Sequence, residues 1–325
     1  DLLVIDESST VSNDDMRKVL EKADFQLLLL VGDTYQISSI RFGNWFSVAR
    51  AFVPETSVFE LTVPYRSNDD NLKLLWERVR NMDDTIMELI ARQEYSITLD
   101  ASIFDNAEDD ETILCLNYDG LYGINNINRF LQESNPNEAV QWGIQQYKIG
   151  DPVLFNESDR FAPVIYNNMK GKIVGIEVIN PDEAAGYIQF DIELTKVING
   201  MDAWMHDFEL LENSERGNSV IRFKVHKTRS TDEDDEGSSR AVVPFQVAYA
   251  VSIHKAQGLE FRSVKIVITD EVDELITHNI FYTAITRAQS KLRIYWTPEV
   301  ENKVLTSIQP RNINKDVGLL RRYIR

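Results

Sequence analysis

The chain has 325 residues, 43% hydrophobic and 26% charged, which is typical of globular proteins with two or three domains. No apolar run is long enough to cross a bilayer, and the single cysteine, Cys115, excludes an intrachain disulfide and fits a reducing cytoplasm. The net charge of -18 argues against a surface covered by nucleic acid. The acidic runs 108–111 and 232–236 are typical of solvated loops, however, and leave room for a local basic channel.

The first part of the sequence alternates short apolar strands with helices. This alternation predicts a parallel α/β sheet, in which an Asn/Asp cap begins the first helix. The predicted elements are a strand at 2–5, a helix at 13–22, a strand at 26–31, one long helix at 69–93, a strand at 112–116 and a helical stretch at 127–131.

The pattern changes near residue 150. Short β-rich runs at 172–179 and 187–195 are separated by turn-forming residues, which predicts a small antiparallel barrel or sandwich. The biased segment 231–239 is predicted to be a loose loop or hairpin tip. The parallel pattern then returns, so the sequence predicts a β module inserted within an α/β domain. The later elements are strands at 248–252, 264–269 and 292–296 and a helix at 280–288.

Two carboxylates, Asp6 and Glu7, directly follow the first strand. Open parallel sheets bind ligands at the carboxyl ends of their strands, which is where these side chains are expected. Hydrolysis of ATP needs one acid to hold Mg²⁺ and a second to orient and deprotonate the attacking water. Two surface acids in a turn would give the same pair, and this segment alone does not decide between the two interpretations.

Two further segments place polar groups beside predicted elements. Gly32, Asp33 and Gln36 follow the second strand, where Gln36 could hydrogen-bond a γ-phosphate or the lytic water. A simple Gly-Asp turn is the alternative. Tyr65 and Arg66 precede the long helix, where the arginine could bind phosphate oxygens and the tyrosine could stack on a base. Tyr-Arg pairs are also frequent on protein surfaces.

The segment 249–261 is the most specific of all. A predicted strand ends in a small hydroxyl residue, and a cluster of polar residues and one glycine follows, a combination that packing alone does not explain. The residues are Ser252, His254, Lys255, Gln257, Gly258 and Glu260. The last predicted helix carries Thr286 and Arg287 among small residues, for which a tightly packed helix with a surface arginine is the alternative.

In this order the five segments resemble motifs II to VI of superfamily 1 helicases. The His-Lys-Ala-Gln-Gly form of motif V is most similar to the RecD-like branch, which includes the helicase portions of conjugative relaxases. Residues 150–153 and 167–171 look like the SH3-like insertion of RecD-type enzymes, so the resemblance covers nearly the whole chain. The matching residues are Asp6 and Glu7 in motif II, Gly32, Asp33 and Gln36 in motif III, Tyr65 and Arg66 in motif IV, Ser252 to Glu260 in motif V, and Thr286 and Arg287 in motif VI.

The resemblance implies a RecA-like P-loop NTPase fold. Residues 1–57 would be the C-terminal part of a first RecA-like domain, and residues 58–148 and 240–325 the second. Residues 149–239 would be an inserted SH3-like β-barrel with an acidic loop.

The same resemblance implies ATP and Mg²⁺ as cofactors. Asp6 would hold Mg²⁺, and Glu7 would act as catalytic base. Gln36 would couple the γ-phosphate to the strand-binding surface. Arg66 and Arg287 would come from the second RecA-like domain as arginine fingers that neutralise charge on the transferred phosphoryl group. The implied nucleotide contacts are Asp6, Tyr65, Gln257, Gly258 and Glu260. The implied contacts with the nucleic-acid backbone are Ser252, His254 and Lys255.

The implied function is that of an ATP-dependent helicase or translocase, acting on single-stranded DNA rather than RNA and moving 5′ to 3′. The alternative is a helicase-like scaffold that binds nucleic acid or a partner protein without hydrolysis. Motif III departs from the family pattern, since Ile37, Ser38 and Ser39 follow Gln36 where Leu-Pro-Pro is usual.

A second departure concerns the phosphate-binding loop. No Gly-x-x-x-x-Gly-Lys-Ser/Thr sequence occurs in the 325 residues. In this family that loop lies upstream of motif II, so an N-terminal region outside this sequence is expected to supply it. The 325-residue chain by itself is therefore expected to hydrolyse little ATP.

Overall fold

The computed structural model describes residues 1–39, 43–105, 110–156, 159–180, 186–199, 206–227, 241–271, 276–309 and 312–323. Contacts divide the chain into a first unit, Asp1–Asn117 with Ser252–Arg325, and a second unit, Tyr118–Val251. The predicted loop 231–239 and residues 108, 109 and 232–236 of the acidic runs lie outside the described residues.

Within those ranges the α-helices are α1 (Asn13–Lys22), α2 (Trp45–Ala49), α3 (Asp70–Asn81), α4 (Ile86–Arg92), α5 (Ile124–Ser134), α6 (His278–Ile285), α7 (Pro298–Ser307) and α8 (Asn314–Tyr323). The strands are β1 (Leu2–Ile5), β2 (Leu27–Leu30), β3 (Ser96–Thr98), β4 (Glu111–Cys115), β5 (Ala139–Trp142), β6 (Gln145–Lys148), β7 (Pro152–Phe155), β8 (Lys170–Ile179), β9 (Tyr187–Leu194), β10 (Glu209–Leu210), β11 (Val220–His226), β12 (Phe245–Val247), β13 (Ala250–Ser252), β14 (Phe261–Val267) and β15 (Ala288–Trp296). None of the described helices is both long and apolar enough to cross a membrane.

The first unit begins with a two-stranded parallel sheet. β1 and β2 pair in one continuous register, from Leu2 opposite Leu27 to the ends of both strands. Between them α1 begins after Ser12, whose hydroxyl accepts a hydrogen bond from Asp15 N–H at 3.1 Å. The predicted Asn/Asp cap is therefore wrong by one residue, because the serine side chain already satisfies the first turn.

A larger sheet has the strand order β13-β4-β14-β15-β3, and its strands β4, β14, β15 and β3 belong to the same unit. β14 runs parallel to both β4 and β15, and β15 runs parallel to β3. An ion pair is buried within it, since Lys265 Nζ on β14 lies 2.8 Å from Glu111 Oε1 on β4. Parallel strands connected through helices are the α/β architecture that the sequence predicts.

Two of the predicted helices have different bounds. The predicted helix 69–93 is divided into α3 and α4, because Met82 adopts a left-handed conformation (φ 54°) that ends α3. Asp83 Oδ1 then accepts a hydrogen bond from Thr85 N–H at 2.8 Å, which forms a local turn before α4. The predicted helix 280–288 begins earlier and ends at Ile285, since Ala288 already pairs with β14.

The second unit contains an antiparallel sheet of strand order β10-β11-β9-β8-β7-β12. The helix α5 and the hairpin β5–β6 precede this sheet in the chain. The antiparallel pairing expected after residue 150 is therefore present. Its core is a cluster of aromatic rings with neighbouring centroids 5.0 to 6.4 Å apart. The core phenylalanines are Phe155, Phe161, Phe190, Phe208, Phe223 and Phe245.

Candidate functional site

The carboxylates Asp6 and Glu7 leave β1 on a tight turn. Glu7 has a left-handed backbone (φ 49°, ψ 37°), which costs energy for a residue with a β-carbon. Two hydrogen bonds of 2.8 Å fix the turn, one from Ser8 N–H to Val31 O and one from Glu7 N–H to Asp6 Oδ1. The strained residue is thus the one that the family resemblance implies as catalytic base.

Glu7 lies among charged groups from distant parts of the sequence. Burial raises the pKa of its carboxyl above the ordinary value, while the positive charges of Arg287 and Arg66 lower it. The negative charges of Asp6 and Asp33 add to the rise. The structure therefore brings together the acids that follow β1 and β2 and the two arginines singled out in the sequence.

Arg66 joins the segments expected to be motifs IV, V and VI. Its Nη1 donates to Thr286 O at 2.7 Å, and its Nε lies 3.3 Å from Glu260 Oε2. Gln289 Nε2 also donates to Glu260 Oε2, at 3.0 Å. Glu260 is therefore a partner of Arg66 in this structure, and its contact with a nucleotide stays a prediction.

Arg287 is fully buried and held by three hydrogen bonds. Its Nε donates to Thr283 O at 2.9 Å, its Nη1 to Leu259 O at 3.0 Å and its Nη2 to Thr286 Oγ1 at 3.2 Å. Burial, and after it the charge of Arg66, lowers the pKa of Arg287 to about 10. The guanidinium therefore remains positively charged at neutral pH, beside Glu7.

The loop after β2 carries Gly32, Asp33 and Gln36. A β-carbon on Gly32 would lie 3.0 Å from both the Phe46 ring and the backbone nitrogen of Ser9, so a larger residue would have to displace a neighbour. Asp33 accepts hydrogen bonds from Tyr35 N–H at 2.8 Å and from Gln36 Nε2 at 3.3 Å. Gln36 Oε1 is buried without a hydrogen-bond partner among the described residues, which leaves an acceptor of the kind that orients a water molecule.

Sequence reasoning missed two residues of α6 that hold this loop. Asn279 Nδ2 donates to Gln36 O at 2.7 Å, and Thr283 Oγ1 accepts from Ile37 N–H at 2.9 Å. The signal that could have found them is spacing, because Asn279, Thr283 and Arg287 follow one another at intervals of four residues. Residues at that interval lie on one face of a helix.

The start of the segment 252–260 forms a capped turn. Ser252 is buried, and its Oγ accepts a hydrogen bond from Lys255 N–H at 3.1 Å. The side chains of His254 and Lys255 are half-buried. The hydroxyl of Ser252 thus caps this turn. Contact of Ser252, His254 and Lys255 with nucleic acid stays a prediction.

Gln257 contacts the loop after β2, and Gly258 lies near Glu7. Gln257 Nε2 donates to Ile37 O at 2.7 Å. Gly258 has a left-handed backbone (φ 76°), and a β-carbon on it would lie 3.9 Å from Glu7 Oε1. Their position agrees with a place beside the phosphates, although their contact with a nucleotide stays a prediction.

The carboxylate of Asp6 fits a magnesium ion that phosphate oxygens also bind. Mg²⁺ keeps several waters and takes only one or two protein carboxylates beside the phosphates, and Asp6 is an exposed carboxylate at the end of β1. In the described ranges no group of three or more His, Cys, Asp or Glu residues is arranged to hold a metal by itself.

Tyr65, the remaining predicted residue, is 91% exposed. Its stacking on a base stays a prediction.

Comparison with known proteins shows similarity to helicases. A model described as the UvrD-like helicase C-terminal domain matches residues 247–295, and one described as an AAA domain matches residues 1–97. The RecBCD enzyme subunit RecD of Mycolicibacterium smegmatis is 23% identical over 90% of this chain and 50% of that protein. The RecD subunit of Haemophilus influenzae is 24% identical over 98% of this chain and 54% of that protein. These matches show that the chain is similar to superfamily 1 helicases of the RecD-like branch.

Solved helicases have a fold similar to that of this chain. The Pif1 helicase from Candida albicans superposes with a TM-score of 0.59 at 17% identity, covering 99% of this chain and 76% of that one. The Pif1 helicase from Bacteroides, solved with ADP-AlF3 and ssDNA, gives a TM-score of 0.52 at 16% identity, with 99% and 76% covered. This likeness shows an α/β fold with parallel sheets that resembles RecA-like helicase domains. The chain spans about half the length of the RecD subunits that it matches.

Proposed function

We propose that this chain carries the Mg²⁺-carboxylate and arginine part of the ATP site of a DNA helicase. The helicase couples hydrolysis between two RecA-like domains to 5′-to-3′ movement along single-stranded DNA. The observation that carries the proposal is the grouping of Glu7 with Arg66 and Arg287. Hydrolysis of ATP requires a base and cations at the same phosphate, and these three side chains supply both.

Each residue of the group has a distinct task in the proposal. Asp6 holds Mg²⁺, and Glu7 orients the attacking water and takes its proton. Gln36 Oε1, which is buried and lacks a partner among the described residues, accepts a hydrogen bond from the same water. Arg66 and Arg287 stabilise the negative charge that develops on the phosphoryl oxygens. When bound, ATP supplies the phosphoryl group and Mg²⁺ supplies positive charge.

The proposal extends to the nucleotide base and the nucleic acid. Tyr65, Gln257, Gly258 and Glu260 contact the nucleotide, and Ser252, His254 and Lys255 contact the DNA backbone. The exposed ring of Tyr65 is accessible to a base. Further support comes from the Bacteroides Pif1 helicase, whose solved complexes contain ssDNA.

The proposed domain organisation follows the family resemblance. Residues 1–57 belong to a first RecA-like domain and residues 58–148 and 240–325 to the second, while residues 149–239 form an SH3-like insertion. The antiparallel sheet of the second unit supports the insertion.

The phosphate-binding loop is proposed to lie in an N-terminal region outside these 325 residues. Two observations support this. The loop sequence is absent here, and β1 and β2 expose apolar side chains of the kind that further strands or helices of a RecA-like domain would cover. The 325-residue chain alone is accordingly proposed to hydrolyse little ATP, because the β- and γ-phosphates lack their cradle. The non-catalytic scaffold is not favoured, since the RecD and Pif1 relatives are helicases.

The test is ATP turnover by the full-length protein in the presence of single-stranded DNA. Glu7→Gln keeps the shape of the side chain and removes the base, so we expect the rate to fall on the order of 10²–10⁴-fold. Arg287→Ala should lower it on the order of 10³–10⁵-fold. Nucleotide binding, measured by fluorescence titration, should stay within a few-fold in both variants.

Arg92→Ala is the control, because Arg92 is an exposed arginine on α4 outside the site. It should leave the rate unchanged. A wild-type rate in Glu7→Gln would remove the proposed base and with it the function.

A further inference from the structure

Side chains from two distant segments of the chain hold the loop 34–37 in place. Asn279 Nδ2 donates to Thr34 O at 3.1 Å and to Gln36 O at 2.7 Å, so one carboxamide binds two carbonyls of the loop. The hydroxyl of Thr283, one turn further along α6, accepts from Ile37 N–H at 2.9 Å. Gln257 Nε2 donates to Ile37 O at 2.7 Å. Four backbone polar groups of a loop without regular structure are therefore satisfied by distant side chains.

Thr283 connects this loop with the buried arginine. Its hydroxyl binds the backbone of Ile37, and its carbonyl accepts a hydrogen bond from Arg287 Nε at 2.9 Å. Thr283 is itself fully buried. A displacement of the loop therefore acts on Arg287 through one residue and two hydrogen bonds.

The ring of Tyr35 adds a packing contact at the same place. The guanidinium of Arg80 on α3 lies 4.6 Å from the ring centroid. The rings of His278 and Tyr282, both on α6, lie 6.1 Å from it. The loop is thus held on both sides of Gln36. Side chains of α3 and α6 contact Tyr35, and Thr283 and Gln257 bind the backbone of Ile37.

We propose that Asn279 and Thr283 are positioning residues that hold Gln36 toward the attacking water and couple its loop to Arg287. The inference rests on the proposed function, in which Gln36 and Arg287 act on one phosphate. The carboxamide acceptor of Gln36 is buried without a partner among the described residues, so its direction depends on how the backbone of the loop is held. Groups that are held in place before the reaction stabilise its transition state most effectively.

Two substitutions of Thr283 separate a role of its hydrogen bond from a role in packing alone. Thr283→Val keeps the shape of the buried side chain and removes the acceptor for Ile37 N–H. Thr283→Ser keeps the hydroxyl and removes a methyl group. If the hydrogen bond matters, serine functions and valine fails, whereas packing alone predicts that valine functions better.

The first measurement is amide hydrogen exchange of the loop 34–37 in the full-length protein, which requires no ATP turnover. In Thr283→Val the amide of Ile37 should exchange at least about fivefold faster than in wild type, because it has lost its buried acceptor. Thr283→Ser should retain most of the protection. Equal protection in wild type and valine variant would overturn the assignment of the hydrogen bond.

The second measurement is ATP turnover stimulated by single-stranded DNA, as kcat and KM. Thr283→Val and Asn279→Leu should each lower kcat about tenfold with the KM for ATP within about twofold, because they disturb positioning and not nucleotide binding. Thr283→Ser should stay within about threefold of the wild-type kcat. Equal losses in the serine and valine variants would overturn the positioning role in favour of packing.

The matched control is Thr112→Val. Thr112 is a buried threonine on β4 whose hydroxyl has no partner among the described residues. It should change neither exchange of the loop nor kcat. Absence of turnover in the wild-type protein would defeat the proposed function, while the exchange measurement would still decide whether Thr283 holds the loop.

Discussion

Glu7 combines two features that oppose folding. Its backbone is left-handed, and its carboxyl is partly buried with Asp6 and Asp33 close by. Burial is the main reason why the pKa is raised in the folded protein, so the folded state binds this proton more tightly than the unfolded chain does. The resulting stabilisation is fully present below the ordinary value of 4.5 and is lost as pH rises through the raised pKa.

We therefore expect Glu7→Gln to raise the Tm of the protein at pH 7, since it replaces a poorly solvated charge by a neutral group. The advantage should shrink when the pH is lowered below about 4.5, where wild-type Glu7 is itself protonated. Thermal unfolding at both pH values measures the difference. Glu88→Gln, at an exposed position on α4, should show no such dependence. A lower Tm for Glu7→Gln at pH 7 would contradict the argument.

At the scale of elements, the junction before β7 depends on one buried carboxylate. Asp151 is fully buried, and it accepts hydrogen bonds from Tyr249 OH at 2.9 Å and Lys148 N–H at 2.9 Å. Side chains at the end of and just after α5 complete the set, with Gln132 Nε2 at 2.5 Å and Asn135 Nδ2 at 2.8 Å. The helix α5, the hairpin β5–β6 and the antiparallel sheet of the second unit are joined at this group.

Replacement of Asp151 by alanine should destabilise the second unit by about 3 kcal/mol, because four donors lose a buried acceptor at once. Urea unfolding followed by circular dichroism measures this change. Asp151→Asn, which retains one acceptor oxygen, should lose less. Glu138→Ala removes an exposed carboxylate of the same unit and should have no effect. A neutral Asp151→Ala would mean that the donors find other acceptors.

The helices and strands that could be predicted are those whose signal lies in neighbouring residues. Strands, turns and the antiparallel module could be predicted because apolar periodicity and Gly or Pro punctuation are properties of neighbouring residues. The division of helix 69–93 could not, since the left-handed Met82 and the Asp83 turn interrupt an apolar pattern that continues on both sides. The contact of Thr283 with Ile37 joins residues 246 positions apart, and nothing in the local sequence indicates it.

At the scale of the whole molecule, the sheet β1–β2 exposes an apolar surface. Leu27 is 63% and Leu29 48% exposed, and their strand partners Leu2 and Val4 are similarly exposed. An apolar sheet with unpaired edges invites association with other chains. The proximity of the acids and arginines of the candidate site could be predicted from motifs, whereas this surface depends on what packs against the sheet.

We expect the 325-residue chain to self-associate through this sheet. The double variant Leu27→Thr with Leu29→Thr should shift the onset of aggregation to a protein concentration several-fold higher, measured by light scattering. Leu61→Thr with Leu121→Thr is the matched control, because both leucines are exposed but lie outside the sheet. Equal aggregation of the two double variants would show that the sheet is not responsible.

The spacing of Asn279 and Thr283 on α6, and of Arg287 just after it, limits how this part of the chain can change in length. Each residue of an α-helix turns the chain by about 100°, so inserting or deleting a single residue between Asn279 and Thr283 would carry one of them away from the loop. The geometry of the site therefore depends on the spacing of residues along α6 as much as on their identity.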